Sequence, residues 1–275
     1  MKHYFFSALV VLVLAACEET VTLDLRERDT KLVLDAQVLN RPRGTYVKIS
    51  TTAAFSSVGN TPRVTNAAVR LLDERGQVVP FVHNPRNHPD SAGFYLPSRR
   101  FTARANAIYT MEVTQNGITY TATDALPAVT NIGRLIAAVD TEAERNPRIA
   151  GRIYNVLISF VLPEDDAYYQ VKFLRNDVPT RNAPQDVYLI DRQETGTDVE
   201  DLSFPVLFSS KEKATVQLYR ISKNVYTYYS DVINATGTDG GLLSPPPSNP
   251  RTNWSNGAIG IFRACALHER SIVIP

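Results

Sequence analysis

The 275-residue sequence predicts an all-β protein of two β-sandwich domains, with one short amphipathic helix near 222–233 in the second. Three observations carry this prediction. Apolar residues recur with period two in short runs separated by turn residues, the mark of half-buried strands. Asn116-Gly117 joins two alternating runs and suits the paired positive φ angles of a type I′ hairpin. Only Ser222–Ile233 shows helical spacing instead.

The N-terminus is a processing segment. Met1-Lys2-His3 is basic, Phe5–Leu14 is almost wholly apolar, and Leu14-Ala15-Ala16-Cys17 follows. That order is a signal peptide of residues 1–16, with an apolar run too short to span a bilayer comfortably. Residues 14–17 look like a bacterial lipobox. The resemblance implies that the Cys17 sulfur takes a diacylglyceryl group and that acyl chains such as palmitate anchor the mature chain in a bilayer. Two or three chains hold stably where one is marginal. Glu18 and Glu19 resemble the surface-export signal of Bacteroidetes lipoproteins. The alternatives are a solvated linker and retention on the inner leaflet of the outer membrane. Val21, Leu23 and Leu25 alternate as a first short strand.

Residues 17–127 read as an immunoglobulin-like sandwich. Leu32, Leu34, Ala36 and Val38 share one parity, as do Val47 and Ile49, then Val69 and Leu71. Asp73–Gly76 is a hairpin turn leading into Val78–Val82. Met111 and Val113 alternate before the Asn116-Gly117 turn, and Ile118, Tyr120 and Ala122 alternate after it. Such strands without a cysteine pair fit the architecture but exclude the antibody subtype.

Ala125-Leu126-Pro127 closes that domain, and residues 128–275 form the second. Asp140–Pro147 is charged and irregular, a linker or long loop. Strands resume with Val156, Ile158 and Phe160 on one face, then Tyr169, Val171 and Phe173, then Phe204–Phe208 and Thr215–Ile221. Val225, Tyr228, Tyr229, Val232 and Ile233 make one helical stripe, with Ser222 as N-cap. Gly237–Gly241 stops the helix, and three successive prolines in Leu243–Pro250 favour extended polyproline II. Gly257–Leu267 and Ser271–Pro275 read as the last two strands.

Composition narrows the function classes. Hydrophobic residues are 44% and charged residues 21%, enough apolar surface to exclude disorder of the whole chain. Without Lys2 the mature chain has 28 basic and 28 acidic residues, so it lacks the broad basic field of a nucleic-acid binder. Arg99, Arg100 and Arg104 read as a charged strand edge. Cys265, in an apolar stretch, reads as a buried inert thiol.

No metal site, cofactor or enzyme is predicted. His83 and His88 share a loop without a clearly spaced third ligand. The acidic groups at 164–166 and 198–201 lack the alternating carboxylates and glycine of a calcium loop. No nucleophile elbow, His-Glu-x-x-His, phosphate loop or dinucleotide fingerprint appears. Trp254, flanked by Asn253 and Asn256, is the candidate aromatic contact for a ligand, against the competing reading of a core or rim-packing residue.

A set of motifs runs along the whole mature chain. They are Lys31-Leu32-Val33-Leu34, Thr119–Thr123 with Leu126-Pro127, Ile221-Ser222-Lys223 with its Tyr-rich helix, Leu243–Asn249, Asn256–Phe262 and Ile272–Pro275. Together they resemble the DUF4249 family of Bacteroidetes outer-membrane lipoproteins, most specifically at the C-terminal end. The resemblance implies an outer-membrane lipoprotein encoded near a TonB-dependent receptor, with no catalytic residues to carry over. Trp254 stands where an aliphatic residue is expected. Asp90-Ser91-Ala92 matches the O-glycosylation pattern of that phylum, with Ser91 the acceptor.

The expected function is therefore a non-catalytic, surface-exposed accessory of a TonB-dependent nutrient transporter, contacting its substrate or the receptor. A structural or adhesive surface lipoprotein is the alternative.

Overall fold

The computed structural model describes residues 30–53, 61–84, 86–145, 151–163, 166–180, 187–196, 198–236 and 249–275. The expectations placed on Cys17, Glu18, Glu19, the 21–25 strand, Glu164, Asp165, Gly237–Gly241 and the proline run lie outside them. No helix among the described residues is long and apolar enough to cross a membrane.

The chain is all-β and sandwich-like. Seven strands come first: β1 (Leu32–Leu39), β2 (Tyr46–Thr51), β3 (Ala68–Asp73), β4 (Val78–His83), β5 (Phe94–Pro97), β6 (Ala107–Gln115) and β7 (Ile118–Leu126). Then follow β8 (Arg134–Val139), α1 (Thr141–Glu144), β9 (Ile153–Val161), β10 (Tyr168–Arg175), β11 (Val178–Pro179) and β12 (Tyr188–Asp191). The remainder is α2 (Arg192–Thr195), β13 (Asp198–Leu202), β14 (Leu207–Ser209), β15 (Lys213–Ile221), α3 (Lys223–Thr236) and β16 (Ile259–Val273).

One large sheet runs β11-β10-β15-β16-β1-β2-β5-β4-β3-β6-β7, with β12 also on β10. A four-stranded sheet, β13-β9-β14 with β8 on β9, packs over its β10–β15 end. Period two works as expected. Leu34, Ala36, Val38, Val47, Ile49, Met111 and Val113 point into the first core and are fully buried. Tyr169, Val171 and Phe173 meet Val156, Ile158 and Phe160 in the second. Asn116 and Gly117 take φ of 50° and 78°, as the hairpin requires. Asp73 accepts N–H bonds from Arg75 and Gln77 in the turn before β4. Ile118, expected inside, is 49% exposed because it flanks the hairpin tip.

The sheet curls until β7 lies back against β16. The Asp124 carboxylate accepts the Ala264 N–H at 2.8 Å, and Thr121 exchanges two bonds with Ser255. The first core is thus completed by residues near the C-terminal end: Trp254, Ala258, Phe262, Ala264 and Ala266. The first core therefore draws on residues from both sides of the expected boundary at 127, and β16 lies against it and against the second core.

The two last strands expected from the sequence are one. β16 pairs in parallel with β1 through Ile259–Cys265 and antiparallel with β15 through Ala266–Val273. The polar His268–Arg270 segment reads as a break, yet its side chains have partners. The Ile132 N–H donates to His268 Nδ1 at 3.1 Å, and Arg270 donates to the Ile132 and Gly133 carbonyls. They pin the connection between the cores to β16. The 140–147 segment likewise begins as α1, capped by Asp140, which accepts from Glu142 and Ala143 N–H groups.

The β1–β16 contact is close. Gly260 has φ of +104°, and a Cβ there would lie 2.2 Å from the Leu34 carbonyl oxygen. Gly260→Ala is therefore expected to cost about 3 kcal/mol or more of stability, from strain plus a backbone clash. Urea unfolding measures it; an unchanged midpoint would refute this account of the strand junction.

Candidate functional site

A loop, a strand end and a turn meet at the C-terminal end of β1. The β1–β2 loop carries Arg41 and Arg43, the segment after β5 carries Arg99 and Arg100, and the turn after β4 carries Arg86. These five arginines line two adjoining depressions of about 580 and about 510 Å³, which share Pro42, Arg43, Gly44 and Arg100. No acidic residue lines either one. Arg41 approaches Glu269 at 3.7 Å. Arg43, Arg86, Arg99 and Arg100 form no ion pair among the described residues. The walls between the charges are apolar and flat: Leu96, Pro97 and Phe101 on one side, Leu39, Tyr219 and Leu267 on the other.

The loops that carry these charges are held in place. Asn40 imitates a strand neighbour of β16: it accepts the Leu267 N–H at 2.8 Å and donates to the Leu267 carbonyl at 3.3 Å. Gln37 donates to the Gly44 carbonyl at 2.7 Å, and the Leu39 N–H donates to Thr45 Oγ1 at 3.2 Å. Gly44 sits at φ +96° with Leu39 beside it, a place a side chain would not fit. The other wall is tied at both ends. The Ser98 N–H donates to Pro80, the Ala103 N–H to the Leu39 carbonyl, and the Arg104 N–H to the Tyr109 hydroxyl. Asn84 closes the Arg86 turn by accepting the His88 N–H. Anchored loops of this kind lose little entropy when a ligand arrives.

Behind the groove, Leu39, Tyr219, Ile221, Ile261, Cys265 and Leu267 form an apolar cluster with α3, and this cluster encloses several polar groups. Tyr219 donates to Gln217, and Gln217 donates to Glu269, the partner of Arg41. Deeper in, Arg263 is 4% exposed and donates to Tyr229, Gln170 and Tyr46, with Tyr46 in turn donating to Asp35. Burial works against its charge, while Tyr229, Tyr46 and Asp35 hold it ionised. Arg263 Nε and Gln170 Nε2 have no partner among the described residues. The face of α3 that carries Val225 and Tyr229 covers this layer. Burial, then the Arg263 charge, brings Lys172 down to about 8. Burial pushes the free Cys265 thiol up to about 12, so it stays protonated and unreactive.

The sequence-predicted residues fall elsewhere. Trp254 is 5% exposed and packs on Phe262 at 6.2 Å between ring centres, so it is a core residue, not an exposed contact. Asn253 accepts the Phe262 N–H and donates to its carbonyl, which folds the Trp254 loop inward. Ser91 lies half-buried in the short turn after the Arg86 loop. His83 Nε2 accepts the Gly93 N–H and His88 Nδ1 accepts the Asp90 N–H. No group of three or more His, Cys, Asp or Glu among the described residues is placed to hold a metal. Of the three arginines read as a strand edge, Arg99 and Arg100 line the groove, while Arg104 lies near Asp73 and Glu74. Arg41, Arg43 and Arg86 went unread, although Arg41-Pro42-Arg43-Gly44 between two strands is a local signal of a basic turn.

The model of the domain of unknown function DUF4249 matches residues 18–271. The chain belongs to the DUF4249 family. No curated protein matches it. For a DUF4249 protein the family description assigns no chemistry, so function must be argued from the groove and its surroundings.

One buried acid gives this surroundings a pH signature. Asp124 is 5% exposed, and burial pushes it up to about 6 despite bonds from Ala264 and Ser222. The folded chain therefore binds more protons than the unfolded one between about pH 4 and 6, and stability falls as pH rises through that window. Asp124→Asn, which keeps an acceptor for the Ala264 N–H, is expected to flatten that slope. Thermal unfolding across the window measures it; a variant slope equal to the wild-type slope would show that Asp124 is not its source.

Proposed function

We propose that this DUF4249 protein is a lipid-anchored, non-catalytic binding protein of the bacterial outer membrane. It is displayed on the cell surface and assists a TonB-dependent nutrient transporter by holding substrate or the receptor's outer face. The observation that carries the reading is the groove: anchored loops presenting five guanidinium groups and no acid, on a chain of balanced charge. A binding surface needs fixed donors around a recess, and this one has them.

One further feature supports it. The leader and Cys17 have the layout of a lipidated export sequence.

The test is affinity capture of the native lipidated protein from its own outer membranes, read by mass spectrometry. A TonB-dependent receptor in near-stoichiometric yield is expected. Capture of extracellular matrix without a receptor would replace the transport reading with an adhesive one. Cys17→Ser should release the protein from membranes, and Glu18→Ala with Glu19→Ala should leave it anchored but shielded from added protease. Ser91 is proposed to carry an O-linked glycan; a peptide of unshifted mass from native protein would remove it.

A further inference from the structure

We infer that the arginine groove binds an acidic oligosaccharide, its carboxylate or sulfate groups held by the guanidinium forks. The inference rests on the binding-protein reading and narrows the ligand.

Charge comes first. Arg41, Arg43, Arg86, Arg99 and Arg100 converge on two connected recesses without a carboxylate in the walls. Elsewhere on the chain, arginines sit with acids, as Arg134 does with Asp201, Arg175 with Glu212 and Arg251 with Asp231. In the groove Arg41 has such a partner, Glu269 at 3.7 Å, while Arg43, Arg86, Arg99 and Arg100 have none among the described residues. A ligand bearing several anionic groups supplies such partners, and a planar guanidinium fork matches carboxylate and sulfate oxygens in pairs. Because the recesses share Pro42–Gly44 and Arg100, the ligand that fills both is extended and carries its charges at intervals.

The surrounding structure selects among extended polyanions. An acidic peptide would gain most of its affinity by pairing with an open strand edge. Here the unpaired edges that border the groove are short: Leu96–Pro97 of β5 pairs only with β4, and Leu267 of β16 is capped by the Asn40 side chain, which leaves too little backbone for an added strand. A nucleic acid calls for a broad basic field, and the mature chain is balanced. An anionic bilayer presents a flat surface, whereas these arginines line recesses. What remains is a chain of flat rings with charged substituents. Such rings lie against the half-buried Leu96, Pro97 and Phe101 while their acids reach the arginines.

The test uses the full lipidated protein in non-ionic detergent, titrated calorimetrically with oligogalacturonate and with heparin oligosaccharides. Maltooligosaccharide, poly-glutamate and phosphatidylglycerol vesicles serve as comparison probes. At least one acidic sugar is expected to bind, more than about tenfold more weakly at ~500 mM than at ~50 mM salt. Arg43→Gln with Arg100→Gln should lower that affinity by about tenfold or more with unfolding temperature unchanged. The corresponding double lysine variant should fall between, since it keeps the charge and loses the fork. Arg134→Gln, outside the groove, should bind as wild type.

Absence of acidic-sugar binding, equal binding of maltooligosaccharide, stronger binding of poly-glutamate or vesicles, or an unaffected double glutamine variant would each overturn the inference. The same preparations go through receptor capture. A protein that captures the receptor but ignores acidic sugars loses this inference and keeps the transport reading. One that binds the sugars through the groove but captures no receptor keeps the inference and loses the transport reading.

Discussion

Everything described depends on one strand with two sets of neighbours. β16 lends its first half to the curled sheet of the first core and its second half to the sandwich of the second. Its even-numbered residues pass from Phe262, Ala264 and Ala266 in one core, through the clamps at His268 and Arg270, to Ile272 and Ile274 beside the other. Its odd-numbered residues, Ile261 to Leu267, lie under α3. Burial on both faces explains why the segment reads as nearly continuous apolar sequence rather than as an alternation.

The groove is a by-product of that arrangement put to use. The β1–β2 loop rests on Leu267 through Asn40, and the segment after β5 rests on Leu39 through Ala103. Both walls are thus referred to the same pair of strands. The backbone beneath the charges is tied at both walls, so the arginines project from fixed points of the chain. The layer behind is an apolar cluster under α3 with the buried Arg263 and its hydrogen-bond partners inside it. It connects to the groove through Tyr219, Gln217 and Glu269.

Local patterns made much of the fold legible. The Asn116-Gly117 hairpin, the Leu34–Val38 and Val47–Ile49 strands and the Val225–Val232 stripe each depend on neighbours a few residues away, and the structure has them. What escaped was set by distant partners. His268–Arg270 looked like a break because its hydrogen-bond acceptors and donors lie near residue 132. For Trp254 the local sequence leaves contact and core packing both open, because the Asn253 bonds to Phe262 that turn its loop inward reach across nine residues. The groove escaped for the same reason. Its arginines come from three separate segments, and only folding distinguishes Arg100, which stays unpaired among the described residues, from Arg104, which meets Asp73 and Glu74.

The pairing of β1 with β16 also fixes an order in time. Val38 and Cys265 touch across 227 positions of chain. As the polypeptide leaves the ribosome, the strands up to Leu126 have emerged long before the one that completes their core, so they wait with β1 lacking a neighbour on one side. Such long-range parallel closure is slow and leaves an open edge in the interval. A frameshift or premature stop upstream of Ile259 would therefore disable the first sandwich as surely as a lesion inside it.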